Sequence, residues 1–232
     1  QRYIAINDGD LTRQLRLHGY SVKGDNGEMS AVDRLKAHIV MNNSVDHVGA
    51  VAGRSIGLHE DKVTGARHLI THKNRRVIAK DGDWSVIRSI LEAQYGDQVK
   101  YIYSWLRRAR YQLEREQFMQ GHALAIAGEV GGGKSLVATE VIQPLLGVVG
   151  DAHLFLVKDN DFNSDLVGSE LLLIDDKALS LKLADRQRFG TRLKEVVGGS
   201  KNVKCHGKGT NPFGVNPLWR IVILVNDDER GL

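Results

Sequence analysis

Residues 123–142 constrain the fold of this chain more than any other stretch. The run Ala123-Leu124-Ala125-Ile126-Ala127 is short and apolar and reads as a buried strand. It opens into Gly128-Glu129-Val130-Gly131-Gly132-Gly133-Lys134-Ser135, which fits the spacing G-x-x-x-x-G-K-[ST]. Behind it, Ser135-Leu136-Val137-Ala138-Thr139-Glu140-Val141-Ile142 reads as a helix that stops near Pro144. Strand, glycine loop and helix together form a setting in which successive backbone N–H groups can curl around phosphate oxygens. In that setting Lys134 reaches the β- and γ-phosphates, and the Ser135 hydroxyl holds Mg²⁺. A plain glycine turn between strand and helix would give the lysine and serine no reason to stand there.

The 232 residues suffice for one large domain or two small ones. No apolar run approaches the roughly 20 residues of a membrane span, and no signal peptide is legible at the start, so a cytoplasmic location is expected. The single cysteine, Cys205, excludes an internal disulfide and fits a reducing compartment. The net charge of +4 is unevenly spread, with 18 Lys+Arg against 12 Asp+Glu in residues 1–112 and 14 against 16 in residues 113–232. A basic front half permits a polyanionic partner, and equally a solvated surface. The chain starts without Met and stops at Leu232, directly after a core-like strand, which reads as a fragment.

Residues 1–112 read as an accessory segment, mainly helical with short strands. Strands are expected at residues 2–7, 68–72 and 75–79, the last two paired. Helices are expected at residues 11–17, 31–42, 84–95 and 99–119. Ser30 and Asp33 form the acidic variant of a capping box, and Asp83 caps the third helix with Val86, Ile87, Ile90 and Leu91 inward. His68 and His72 have helical metal-ligand spacing but lie on a strand pattern without a third ligand, which favours ordinary histidines.

In residues 113–232, strands are expected at 153–157, 171–174 and 218–225, a helix at 177–197 and a basic hairpin at 201–209. Strands alternating with helices imply an α/β fold with a mostly parallel sheet, whose ligands sit at the strands' C-terminal ends. Two further features fall there. Asp175-Asp176 follows the apolar run Leu171-Leu172-Leu173-Ile174, where Asp175 would hold Mg²⁺ with Ser135 and Asp176 would orient or deprotonate a water. Asn226 follows the strand 221–225, placed to contact the γ-phosphate or that water. An acidic pair opening a helix and a turn-forming Asn-Asp are the plainer readings of the same residues.

The order of parts resembles the superfamily 3 helicases of viruses and plasmids, a branch of the AAA+ ATPases, and most of all the poxvirus- and phage-type primase-helicases. The resemblance rests on 128–135, 171–176 and 221–227, with Leu193-Lys194-Glu195-Val196-Val197-Gly198-Gly199 leading into the basic hairpin. It implies a P-loop AAA+ three-layer core over residues 113–232, cut short at its C-terminal end before an arginine finger. It further implies ATP and Mg²⁺ as cofactors, catalytic roles for Lys134, Asp176 and Asn226, and a hexameric ring that moves on single-stranded DNA in phage, viral or mobile-element replication. Lys204, His206 and Lys208 of the hairpin would then grip DNA phosphates. A P-loop kinase for a nucleoside or other small molecule, and a non-motor AAA+ switch or scaffold, are the alternatives.

Overall fold

The computed structural model describes residues 6–62, 65–156, 163–175, 183–198, 203–207 and 212–226. The chain is a mixed α/β protein with a four-stranded parallel sheet, a three-stranded sheet and a two-stranded hairpin.

The parallel sheet has the order β4-β9-β6-β5. Its strands are β4 (Leu124–Gly128), β5 (Val149–Asp151), β6 (Leu171–Ile174) and β9 (Arg220–Asn226). The central strands β6 and β9 are nearly continuous runs of buried aliphatics, as strands covered on both faces must be. Strand β4 differs from the expected buried strand: Ile126 is inside, whereas Ala125 and Ala127 are exposed. Among the described residues it pairs on one side only, with β9, and the face that carries Ala125 and Ala127 is open.

Ahead of the sheet come α1 (Asp8–Leu17), α2 (Ala31–Asn43), β1 (His47–Gly49), β2 (Gly57–Glu60), β3 (Arg67–Ile70), α3 (Ser85–Tyr95) and α4 (Val99–Arg115). The strand expected over residues 2–7 is not seen in its described part. Asn7 caps α1 instead, its side chain accepting from the Asp10 N–H at 2.8 Å, and residues 1–5 lie outside the described residues. The Ser30–Asp33 box forms as expected: the Ser30 hydroxyl accepts from the Asp33 N–H at 3.0 Å and donates to its carboxylate at 2.7 Å.

Strand β3 pairs with β1 in parallel and with β2 antiparallel. The segment 75–79, expected to be its partner, is not a strand; its Val77 N–H donates to the Pro144 carbonyl instead. A long-range backbone bond of that kind leaves no local pattern to read.

Helix α3 ends at Gly96, whose φ of 49° is open to glycine, but it buries only Leu91. Val86, Ile87 and Ile90 are exposed, contrary to the amphipathic expectation. Helix α4 ends at Arg115, short of the expected Met119, because Glu116 turns left-handed with φ 52°. Ile102, Ala109 and Leu113 of α4 are buried, and Ala109 and Leu113 share a core with Leu91, Ile126, Val137, Leu218, Val222 and Leu224. Tyr101 is exposed.

A strand is expected at residues 153–157, but the strand is β5, and His153–Leu156 is a helical turn, α7. The Asp151 carboxylate accepts from the His153 N–H at 2.9 Å, a capping contact that starts the turn and overrides the apolar run. Beyond β6, helix α8 (Leu183–Gly198) occupies most of the expected helical span. The hairpin pairs β7 (Val203–Cys205) with β8 (Phe213–Val215), so its second strand lies beyond the expected span of 201–209. Burial raises the Cys205 thiol to about 12, which rules it out as a nucleophile at neutral pH. No helix among the described residues is long and apolar enough to cross a membrane.

One acidic residue ties the first half of the chain to the sheet. Glu170, just before β6, is 2% exposed. Its carboxylate accepts from the Val148 N–H at 3.0 Å, from Asn74 Nδ2 at 2.9 Å and from the Gly53 N–H at 3.4 Å. Its own carbonyl accepts from the Arg220 N–H at the start of β9.

Candidate functional site

Strand β4 delivers the glycine loop at its C-terminal end. Gly131 and Gly133 have φ of 82° and 80°, where a side chain would be strained, and this is what the glycine pattern encodes. The Gly132 N–H donates to the Glu129 carbonyl at 3.1 Å and closes the curl. The Val137 N–H donates to the Gly133 carbonyl at 3.0 Å and starts the helical run.

That run comprises α5 (Lys134–Leu136), a wide π-helical stretch (Val137–Ile142) and α6 (Gln143–Leu146). It runs two residues past Pro144, close to the expected stop, and ends at Gly147 with φ 136°. Pro144 falls in the first turn of α6, where a missing N–H costs little, so the helix survives it.

Lys134 is the central side chain. It is only 9% exposed, and its ammonium donates to the Gly128 carbonyl at 2.8 Å and the Glu129 carbonyl at 2.7 Å. Those bonds use two of its three N–H donors. Among the described residues no carboxylate forms an ion pair with it. A buried cation faced by carbonyl dipoles and no acid is arranged to receive an anion. The Ser135 side chain is exposed next to it.

Gln94 of α3 is a site residue that the sequence did not reveal. Its Nε2 donates to the Gly132 carbonyl at 2.9 Å, and a Cβ on Gly133 would collide with its amide. An exposed glutamine on a helix surface carries no local sign of such a contact, made 38 residues away.

Sheet register brings the other expected residues to the same end. Gly128 lies opposite Asn226 across β4 and β9. Ile174 lies opposite Ile223, so Asp175 follows it one strand further over. Adjacent strands are about 4.8 Å apart, and Ile174 stands level with Ala125, three residues short of Gly128, so the β6 end lies roughly 14 Å from the β4 end. Asp175 is exposed, and Asp176 lies outside the described residues. Glu129 and Val130 at the tip of the loop are exposed. Lys134, Ser135, Asp175 and Asn226 could hold a polyphosphate and its Mg²⁺ between them.

The hairpin is not part of this cluster. Lys204 is exposed on β7, His206 is half-buried, and Lys208 lies outside the described residues. Asn163 fixes the hairpin base: its Oδ1 accepts from the His206 N–H at 2.9 Å and its Nδ2 donates to the Lys204 carbonyl at 3.1 Å. Cys205 and Val215 pack with Val51, Ile70 and Val167, near the starts of β6 and β9. The hairpin therefore sits towards the opposite end of the sheet from the glycine loop.

The fold is that of an α/β protein with a glycine loop between a parallel strand and a helix. The model of a family of unknown function, DUF5906, matches residues 126–231, the part of the chain from β4 onward. The fold is similar to the apo structure of the NrS-1 C-terminal region, with a TM-score of 0.58 and 13% identity over 93% of this chain and 56% of that one. An A form apo structure of the same region gives a TM-score of 0.55 at 13% identity, covering 94% of this chain and 56% of that one. This chain thus spans little more than half the length of those structures. No curated protein matches the sequence.

Proposed function

We propose that the chain is the nucleotide-binding core of a P-loop ATPase of the AAA+ kind, and that it drives a helicase or translocase in phage, viral or mobile-element replication. The observation that carries the reading is Lys134, buried inside its loop, held by two backbone carbonyls and paired with no carboxylate among the described residues. Asp175 and Asn226 at the same end of the sheet support it, as do the sequence resemblance to superfamily 3 helicases and the fold likeness above.

In this reading Lys134 meets the β- and γ-phosphates with its remaining N–H, while the glycine loop supplies backbone donors. Ser135 and Asp175 would hold Mg²⁺, which would supply positive charge against the negative charge that develops on the phosphates. Asp176 orients the attacking water and accepts its proton, and Asn226 holds that water or the γ-phosphate in line. Lys204, His206 and Lys208 contact the phosphates of single-stranded DNA without reading sequence, and subunits assemble as a ring, a hexamer in the resembling group.

The test is ATP-dependent strand displacement by a longer chain of the same protein. The reading predicts ATP hydrolysis stimulated by single-stranded DNA together with unwinding. Hydrolysis indifferent to DNA, without unwinding, would remove the motor and leave a nucleotide switch.

Gln94 gives a prediction within this frame. Its bond to the Gly132 carbonyl holds the loop in shape before nucleotide arrives, so Gln94→Ala should raise the KM for ATP about threefold and leave kcat nearly unchanged, consistent with the loss of one solvent-exposed hydrogen bond. Steady-state kinetics of the variant check it, and an unchanged KM would make the contact incidental.

A further inference from the structure

The outer face of α4 carries chemistry that the glycine loop does not use. Lys100, Ser104, Arg107, Arg108, Tyr111 and Arg115 recur at three- and four-residue steps, so they share one side of the helix. All of them are exposed, while Ile102, Ala109 and Leu113 on the other side are buried. The stripe from Lys100 to Arg115 is about 22 Å long. Two bonds to the chain ahead of β4 fix its orientation: Trp105 Nε1 donates to the His122 carbonyl at 2.8 Å, and Arg108 Nε donates to the Gln120 carbonyl at 2.7 Å.

The charge of this face is not cancelled locally. Helix α4 has five basic residues and one acid. That acid, Glu114, pairs with Arg110 at 2.7 Å, and Arg110 also donates to the Leu145 carbonyl. Glu116, just past the helix, pairs with Lys73 at 3.2 Å. Among the described residues no carboxylate pairs with Lys100, Arg107, Arg108 or Arg115. A further cation lies within electrostatic reach of Arg108. Arg220, at the start of β9, is 6% exposed and donates from Nη2 to the Met119 carbonyl at 2.7 Å. Burial, and then the like charge of Arg108, lower its pKa to about 10. Arg220 has no acid of its own among the described residues, so its charge adds to the positive potential at Arg108. A helix face that had only to be soluble would carry both signs interspersed.

Aromatic rings stand among these cations. Tyr111 is 40% exposed and has the Arg115 guanidinium 4.3 Å from its ring centroid. Tyr101, 65% exposed at the edge of the stripe, has the Lys100 ammonium at 5.3 Å. Unpaired cations beside flat rings suit the two parts of an unpaired strand, its phosphates and its base faces. A duplex keeps its base faces stacked away, and an acidic peptide would use the cations without the rings.

We propose that the outer face of α4 binds single-stranded nucleic acid, with Lys100, Arg107, Arg108 and Arg115 against its phosphates and Tyr101 and Tyr111 against its bases. The surface is distinct from the Lys204 hairpin, and it rests neither on that contact nor on ATP hydrolysis.

The test is fluorescence anisotropy of labelled (dT)12 titrated with the chain at several salt concentrations, without nucleotide. Binding should weaken with salt at a log–log slope of about −3, from four phosphate contacts at about 0.7 each. The combined change Arg107→Gln, Arg108→Gln and Arg115→Gln should weaken binding tenfold or more and make the slope shallower by about 2. The same three positions changed to Lys keep the charge and should bind within about threefold of the parent, which separates lost contacts from lost folding. Tyr111→Ala should weaken binding about fivefold or more and leave the slope unchanged. Photocrosslinking with an oligonucleotide that carries 5-iododeoxyuridine should label Tyr101 or Tyr111. No binding of (dT)12, affinity unchanged by the glutamine variant, or crosslinks confined to residues 201–215 would overturn the proposal. So would a blunt duplex or polyglutamate bound as tightly as (dT)12, which would make the face a general anion surface. A chain that binds (dT)12 through α4 but binds no ATP would keep this proposal and remove the ATPase reading.

Discussion

Lys134→Ala should lower ATP turnover by about 10²–10³-fold while leaving the fold intact. The size follows from the role: positioned charge is the main contribution a protein makes to phosphoryl transfer, and losing one such group commonly costs 10²–10³ in rate. The structure adds a second readout. Lys134 is buried with two carbonyl partners and, among the described residues, no acid, so without nucleotide it carries a desolvation cost that its bonds only partly offset. The variant should therefore be as stable as the parent without nucleotide, or more stable by about 1 kcal/mol. Steady-state turnover and urea unfolding, both measured on the same variant, check the two halves. A marked loss of stability would mean that Lys134 is a structural lysine clamping the loop.

Glu170→Ala should destabilise the protein by about 3 kcal/mol, in the range found when one partner of a buried charged network is removed. The carboxylate holds Gly53 and Asn74 from the first half of the chain and Val148 from the sheet side, all at one buried point. Alanine leaves the Val148 and Gly53 N–H groups without their acceptor and the Asn74 amide with only the Gly168 carbonyl. Gly147 is bound to the same arrangement, since a Cβ there would meet the Glu170 side chain. Glu170→Gln keeps the shape and one acceptor oxygen and should cost about half as much. The urea midpoint, at unchanged m-value, measures both variants. A loss below about 1 kcal/mol for alanine would show that the two halves of the chain are held mainly by their shared apolar core.

What the sequence made legible is local or carried by continuous patterns. The glycine loop is fixed by chemistry that no other residues supply at Gly131 and Gly133. Strands β6 and β9 read correctly because burial on both faces requires an unbroken aliphatic run. The Ser30–Asp33 box reads correctly because its contact spans three residues.

Misread elements depend on distant partners. The segment 75–79 is captured by Pro144, and 153–156 is turned helical by Asp151. Helix α3 exposes Val86, Ile87 and Ile90 because its contacts run through Leu91 and through Gln94 to the glycine loop. Gln94 and Glu170 gain their meaning from residues far away in the chain, which composition and spacing cannot convey.

Calorimetric titration of the chain with ATP and Mg²⁺ tests the central claim most directly. One molecule of nucleotide should bind per chain, with affinity at least tenfold weaker in Lys134→Ala and the Mg²⁺ dependence lost in Ser135→Ala. Absence of binding at millimolar ATP, or binding that Lys134→Ala leaves unchanged, would contradict the assignment of residues 128–135 as a phosphate site.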